Sequence, residues 1–186
     1  HPGGVFKRRF SRFRVRGLTG LWMRILGIDP GSRFTGYGVI DVRGDRAAAV
    51  HFGVIKTGNG EFPERLGIIF RGVRDLVAEY RPSDVAVENV FVSKNASSAL
   101  KLGQARGAAI CGAICEDLPV AEYSPRSVKQ AIVGKGSADK VQVQHMVCVL
   151  LQLQETPQED AADALAVALC PQPTKQSMTR MQALQR

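Results

Sequence analysis

Between Met23 and Thr57, three runs of strand-forming residues, Arg24–Ile28, Gly36–Asp41 and Ala47–Thr57, are separated only by short turn-forming clusters at Asp29-Pro30-Gly31 and Arg43-Gly44-Asp45. Connections this short leave no room for a crossover, so the three strands must be antiparallel neighbours in one sheet. After Pro63 the period changes from two to between three and four: Leu66, Ile69, Phe70, Val73, Leu76 and Val77 mark one face of a helix running to about Tyr80, and Arg81-Pro82 ends it. Strand and helix then alternate. Val85–Val90 is a short apolar strand, Asn95–Cys115 a helix of small residues, Val120–Tyr123 a strand, and Ser124–Val133 a helix closed by Gly134. Two helices follow, one over about Ala138–Leu151 and one opening at Thr156-Pro157-Gln158-Glu159, where Thr156 and Glu159 have capping-box spacing. The pattern predicts an α/β domain: a mixed sheet, three antiparallel strands and then parallel ones, with helices packed on it.

At 186 residues with 45% hydrophobic and 23% charged side chains, the chain is sized for a single core. No run approaches the roughly 18 apolar residues of a membrane span. The net charge of +8 suggests an anionic partner, but it is unevenly spread. Residues 1–22 hold Lys7, Arg8, Arg9, Arg12, Arg14 and Arg16 with no acid, and without these six the 25 basic residues fall to 19 against 17 acids. We therefore expect a flexible basic extension at 1–22, a folded domain at 23–170 beginning at a plausible natural start, Met23, and a mobile tail at 171–186, whose Pro-Gln-Pro-Thr-Lys-Gln-Ser opening has linker composition. Cys111, Cys115, Cys148 and Cys170 show neither CxxC spacing nor disulfide-scaffold density. Cys111 and Cys115 share a helical face, and core packing is expected for them over zinc binding.

Four acids stand where apolar or turn residues would be ordinary. Asp29 ends the first strand, although Asp-Pro-Gly is also simply a good turn. Glu88 alternates onto one face with Ala86 and Val90, a costly place for a carboxylate unless the strand is an edge or the charge is compensated. Asp160 and Asp163, three residues apart, lie about 60° apart around their helix. Ala161, Ala162, Ala164, Leu165, Ala166 and Val167 surround them, although acids in a first turn are also favoured by the helix dipole. If all four meet at one sheet edge their charges repel, and two divalent cations would balance them. An all-oxygen donor set favours Mg²⁺ or Mn²⁺ over zinc. Two such ions suit in-line displacement at phosphorus, which is phosphodiester hydrolysis.

The strings ILGIDPGSRFTGYGVI (25–40), VENVFVSKNASSALKLGQARG (87–107), VKQAIVGKGSADKVQVQHM (128–146) and DAADALA (160–166) resemble the RuvC Holliday-junction resolvases, in order and over about residues 23–170. The resemblance implies a ribonuclease H-like fold, a homodimer, and Mg²⁺-dependent paired nicking of four-way DNA junctions in bacterial recombination and repair. It also implies a cytoplasmic setting and the branch-migration proteins RuvA and RuvB as partners. The family's acidic tetrad falls on Asp29, Glu88, Asp160 and Asp163, and its phosphate-binding lysines fall on Lys129 and Lys140, one of which can also serve catalysis.

Lys129, Lys135 and Lys140 punctuate the Gly134-Lys135-Gly136 turn and its flanking helices, which suits DNA phosphates as well as it suits plain solvation. Arg33 and Lys94 are further phosphate candidates. Phe91, just past Glu88, is a candidate for stacking on or wedging into an opened junction, with core burial as the alternative. Gly103, Gly107 and Cys111 form a small-residue groove for packing on the chain's own sheet or, as the resemblance implies, for dimerisation. The segment 27–36 is also similar to the phosphate-facing hairpin of actin- and sugar-kinase-like phosphotransferases. Those enzymes close two related domains around a nucleotide, and this chain has room and motifs for one. A junction-binding protein without catalysis is the third possibility, and the presence of all four acids weighs against it.

Overall fold

The computed structural model of the chain describes residues 22–44, 46–89 and 95–171. Strands β1 (Met23–Asp29), β2 (Phe34–Arg43) and β3 (Arg46–Lys56) form the antiparallel meander; α1 (Phe62–Tyr80), β4 (Asp84–Glu88), α2 (Ala96–Ile114) and β5 (Val120–Tyr123) follow. Helices α3 (Pro125–Val133), α4 (Lys140–Leu151) and α5 (Glu159–Ala168) complete the domain. The sheet order is β3-β2-β1-β4-β5, antiparallel across the first three strands and parallel from β1 through β4 to β5. Both halves of the expected mixed sheet are therefore present.

Two cores sandwich the sheet, and period-two alternation along β1 decides what faces each. Leu26 and Ile28 join Val39, Val85 and Val87 against Ile69, Val73 and Val77 of α1 and Ala105, Ala109 and Ala113 of α2. Met23 and Ile25 join Ile40 and Ala86 against α3, α4 and α5. Asp29 continues the second series, and Glu88 follows Ala86 by the same step, so both carboxylates are directed to the α5 side. The parallel register pairs Ile28 with Val87. One residue further on, Asp29 and Glu88 are neighbours at the carboxyl ends of adjacent parallel strands, where open α/β sheets present their crevices.

Helix α5 lies unusually close to the strands because the facing positions carry no side chain. A Cβ on Gly27 would run into the Ala164 carbonyl and Ala168, one on Gly36 into the Asp160 backbone, and one on Gly38 into Leu165. The buried alanines at 161, 162, 164, 166 and 168 complete the fit from the helix side.

Three expectations need correction. Helix α5 starts at Glu159 with Gln158 as its N-cap and no side-chain cap, so the Thr156 capping box does not form. The chain ahead of the helix is held instead by α4, whose Gln144 Nε2 donates to the Pro157 carbonyl at 3.0 Å. Cys111 and Cys115 are exposed rather than packed in the core, because α2 turns Ala105, Ala109, Gly112 and Ala113 inward. For the same reason Gly103 and Gly107 do not pack on the chain's own sheet: a Cβ on either would meet nothing within 4 Å. Gly134 does close α3, in the left-handed conformation at φ 80°. Phe91 and Lys94, most of the 1–22 extension and nearly all of the tail lie outside the described residues.

Candidate active site

A cavity of about 320 Å³ opens at the carboxyl ends of β1 and β4, lined by Asp29, Glu88, Asp163, Lys129, Lys140, Pro125, Val128 and Val143. Five elements meet there: the two parallel strands supply Asp29 and Glu88, α5 supplies Asp163, and α3 and α4 supply the lysines. Asp160 stands one turn before Asp163, with its backbone against Gly36 of β2. It does not line the cavity, but its charge is felt by both Asp29 and Asp163.

Electrostatics set this place apart. Burial, the Glu88 and Asp163 charges and a shared hydrogen bond with Glu88 push the Asp29 carboxyl up to about 9. Without a cation the Asp29–Glu88 pair therefore retains a proton at neutral pH, shared in the hydrogen bond between the two carboxyls. Burial also raises Glu88 while that hydrogen bond and the ammoniums of Lys140 and Lys129 oppose the rise. Asp163 is raised by burial against the pull of Lys140. Asp160 is raised chiefly by burial as well. Lys140 is held charged by Glu159, which it contacts directly, and by Asp163 at 3.3 Å.

Among the described residues no three Asp, Glu, His or Cys side chains are already arranged as a metal cage. Asp29 and Glu88 share a hydrogen bond, and Lys140 lies against Asp163. The donor chemistry nonetheless fits a hard divalent cation. Every acidic donor is a carboxylate oxygen, and the raised Asp29 carboxyl reports crowded negative charge that a cation would relieve.

The turn after Asp29 is braced from a distance. Arg65 Nε donates to the Ser32 carbonyl at 3.1 Å, Thr57 Oγ1 donates to the same carbonyl at 3.0 Å, and Thr35 Oγ1 donates to Gly31 at 2.8 Å. On the other flank Glu122 of β5 takes Arg106 of α2 and accepts from Asn89, the residue after Glu88, at 3.3 Å. Sequence inspection identified neither brace, since apart from Thr35–Gly31 the partners lie 16 to 33 residues apart. Lys129 and Lys140 meet the expected site. Lys135, exposed on the turn between α3 and α4, and Arg33, exposed after β1, do not line it.

Residues 25–171 match the family model described as crossover junction endodeoxyribonuclease RuvC. The chain belongs to the RuvC family. The RuvC of Teredinibacter turnerae is 53% identical over 167 residues, covering 87% of this chain and 94% of that one. The RuvC of Methylococcus capsulatus is 56% identical over 163 residues, covering 88% and 98%. Among solved structures, T. thermophilus RuvC in complex with Holliday junction substrate aligns with a TM-score of 0.76 at 40% identity, over 80% of this chain and 92% of that chain. The yeast mitochondrial Holliday junction resolvase Ydc2 aligns with a TM-score of 0.60 at 16% identity over 87% and 79%, a likeness of fold alone. The mixed sheet is thus the ribonuclease H-like fold of RuvC enzymes, and the cavity lies inside the matched region.

Proposed function

We propose that this chain is a Mg²⁺-dependent endonuclease that resolves four-way (Holliday) DNA junctions by paired symmetric nicking during recombination and repair. The observation that carries the proposal is the convergence of Asp29, Glu88 and Asp163, from two strands and a late helix, on one cavity that also holds Lys129 and Lys140. Asp29, Glu88, Asp163 and the adjacent Asp160 would hold two Mg²⁺, or Mn²⁺ in their place. Bound ions would supply an activated water and charge stabilisation at the scissile phosphorus. The protein's own part is positioning. For the pair to hold a cation, the proton shared by Asp29 and Glu88 would pass to solvent, which would leave both carboxylates free to bind. Lys129 and Lys140 meet the phosphate oxygens and offset the negative charge that grows in the transition state. Pro125, Val128 and Val143 form an apolar wall that excludes bulk water from one side.

Paired nicking needs two sites related by symmetry. The outer face of α2 supplies a surface for this: Gly103, Gly107 and Cys111 border Leu100 and Ile114, which are 69% and 48% exposed, and an open apolar groove runs from Ala96 to Gln104. Two copies joined through this face would form an isologous homodimer presenting its cavities to equivalent strands. Beyond the site, we assign Arg33, Lys135, Lys94 and Phe91 to junction contact, residues 23–170 to the nuclease domain, and RuvA and RuvB to the partner role in the bacterial cytoplasm. No helix of the described residues is long and apolar enough to cross a membrane.

The test is cleavage of synthetic four-way junctions against linear duplex, with and without Mg²⁺. Junctions should be nicked in symmetric pairs only with the metal. Asp29→Asn and Asp163→Asn should each abolish nicking while junction binding persists, and retained cleavage in either variant overturns the assignment.

A further inference from the structure

Among the described residues Lys140 pairs with two acids, Glu159 and Asp163, and of these Asp163 belongs to the cavity. Lys140 is the first residue of α4 and Glu159 the first of α5. An ammonium at a helix N-terminus is disfavoured by its own helix dipole, so Lys140 depends on acids from elsewhere. Helix α5 provides Glu159 and Asp163 four residues apart on one face, and the Lys140 Nζ touches both. The two acids differ in setting. The Asp163 side chain is 21% exposed and lines the cavity; that of Glu159 is 66% exposed and lies outside it. The Glu159 side chain is also not engaged in capping, because the Thr156 box does not form.

We infer that Glu159 is a positioning residue that holds the Lys140 ammonium at the cavity mouth and leaves Asp163 available to a divalent cation. The inference rests on the active-site assignment above and adds a member to it. A cation at Asp163 repels the ammonium. With Glu159 present, Lys140 gives up one contact, keeps the other, and stays beside the place a phosphate must occupy. Without Glu159, Asp163 is its one remaining partner of the pair, and Lys140 competes with the metal for that carboxylate. An acid at the start of α5 would also attract cations through space whatever Lys140 did, so the test must separate the two effects.

Mn²⁺ binding to the full chain without DNA, followed by the electron paramagnetic resonance of free Mn²⁺, makes the separation in a double-mutant cycle. Glu159→Gln should weaken Mn²⁺ binding by roughly two- to five-fold, the range of an exposed ion pair. In a Lys140→Ala background the same change should cost clearly less, the remainder being the through-space attraction alone, and with Lys140 present Glu159→Asp should recover most of the loss. Equal weakening in both backgrounds, or none with Lys140 present, overturns the inference. Asp163→Asn serves as the reference. If it abolishes Mn²⁺ binding while Glu159→Gln changes nothing, the Glu159 role alone falls; if it leaves binding intact, the active-site assignment falls with it.

Discussion

The two faces of the sheet are packed by opposite means. Against α1 and α2 the strands present Leu26, Ile28, Val39, Val85 and Val87, and branched side chains fill the space between the layers. Against α5, alongside Ile25, Ile40 and Ala86, they present Gly27, Gly36 and Gly38; the first two lie directly on α5 backbone at Ala164 and Asp160, and Gly38 makes room for Leu165. A layer spaced by large side chains can repack when one of them changes. Where strand glycines meet helix backbone directly, there is no side chain to adjust. The carboxylates sit on the second face, where the position of Asp163 relative to Asp29 and Glu88 is set by main-chain contact. The contrast teaches that precision in this site comes from what the strands lack.

Substitutions should expose that difference, the largest effect coming from the glycine face. Gly27→Ala drives a methyl group into the Ala164 carbonyl and Ala168. Because backbone must move, the cost should exceed about 3 kcal/mol in urea denaturation. Any protein that still folds should have lost nicking, since α5 carries Asp163 away from the strands. A second break uses charge. Asp29 keeps its proton up to about 9 in the folded, metal-free protein but releases it in the ordinary carboxylate range when unfolded. Between those limits the native state binds more protons, so stability falls as pH rises. The melting temperature in chelator should therefore drop from about pH 5 to about pH 8, and Asp29→Asn should flatten that slope.

Much of this arrangement was legible because its signals are local. The period-two alternation that places Asp29 with Ile25, and Glu88 with Ala86, is contained in single strands, and the 160–163 spacing in a single helix. The meander was legible for the same reason, its turns being only a few residues long. What stayed hidden depends on partners distant in sequence. Helix α5 starts at Glu159 behind Gln158, with Pro157 held by Gln144 from α4, so the capping spacing at Thr156 misled. Glu159 reads as a helix-start acid until the fold brings Lys140 to it from 19 residues away. Helix α2 carries small or apolar residues on several sides, so periodicity could not say that Ala105, Ala109 and Ala113 face inward while Cys111 and Cys115 face out.

The α1 side should prove forgiving. Ile69 is fully buried there, and Ile69→Val should cost about 1 kcal/mol in the same urea titration. Junction nicking should be unchanged, because neighbouring branched side chains absorb the missing methylene without moving α5. If Ile69→Val lost as much activity as Gly27→Ala, the proposed division of labour between the faces would be wrong.

The smallest effect is chemical and leaves stability untouched. Cys170 sits at the end of α5, where burial and the Glu88 charge push its thiol up to about 12, and it donates to the Ala166 carbonyl at 3.3 Å. Its thiolate is scarce at neutral pH, so iodoacetamide should label it last. Cys111 and Cys115 are exposed in the single chain and should react first. The proposed dimerisation through α2 predicts a concentration dependence: on dilution across the dimer-to-monomer transition, Cys111 labelling should accelerate while Cys170 labelling stays slow. Mass spectrometry of the labelled peptides reads both in one experiment. A Cys111 rate indifferent to dilution across a measured dimer-to-monomer transition would remove α2 from the interface, while slow Cys170 labelling would still report the close packing of α5.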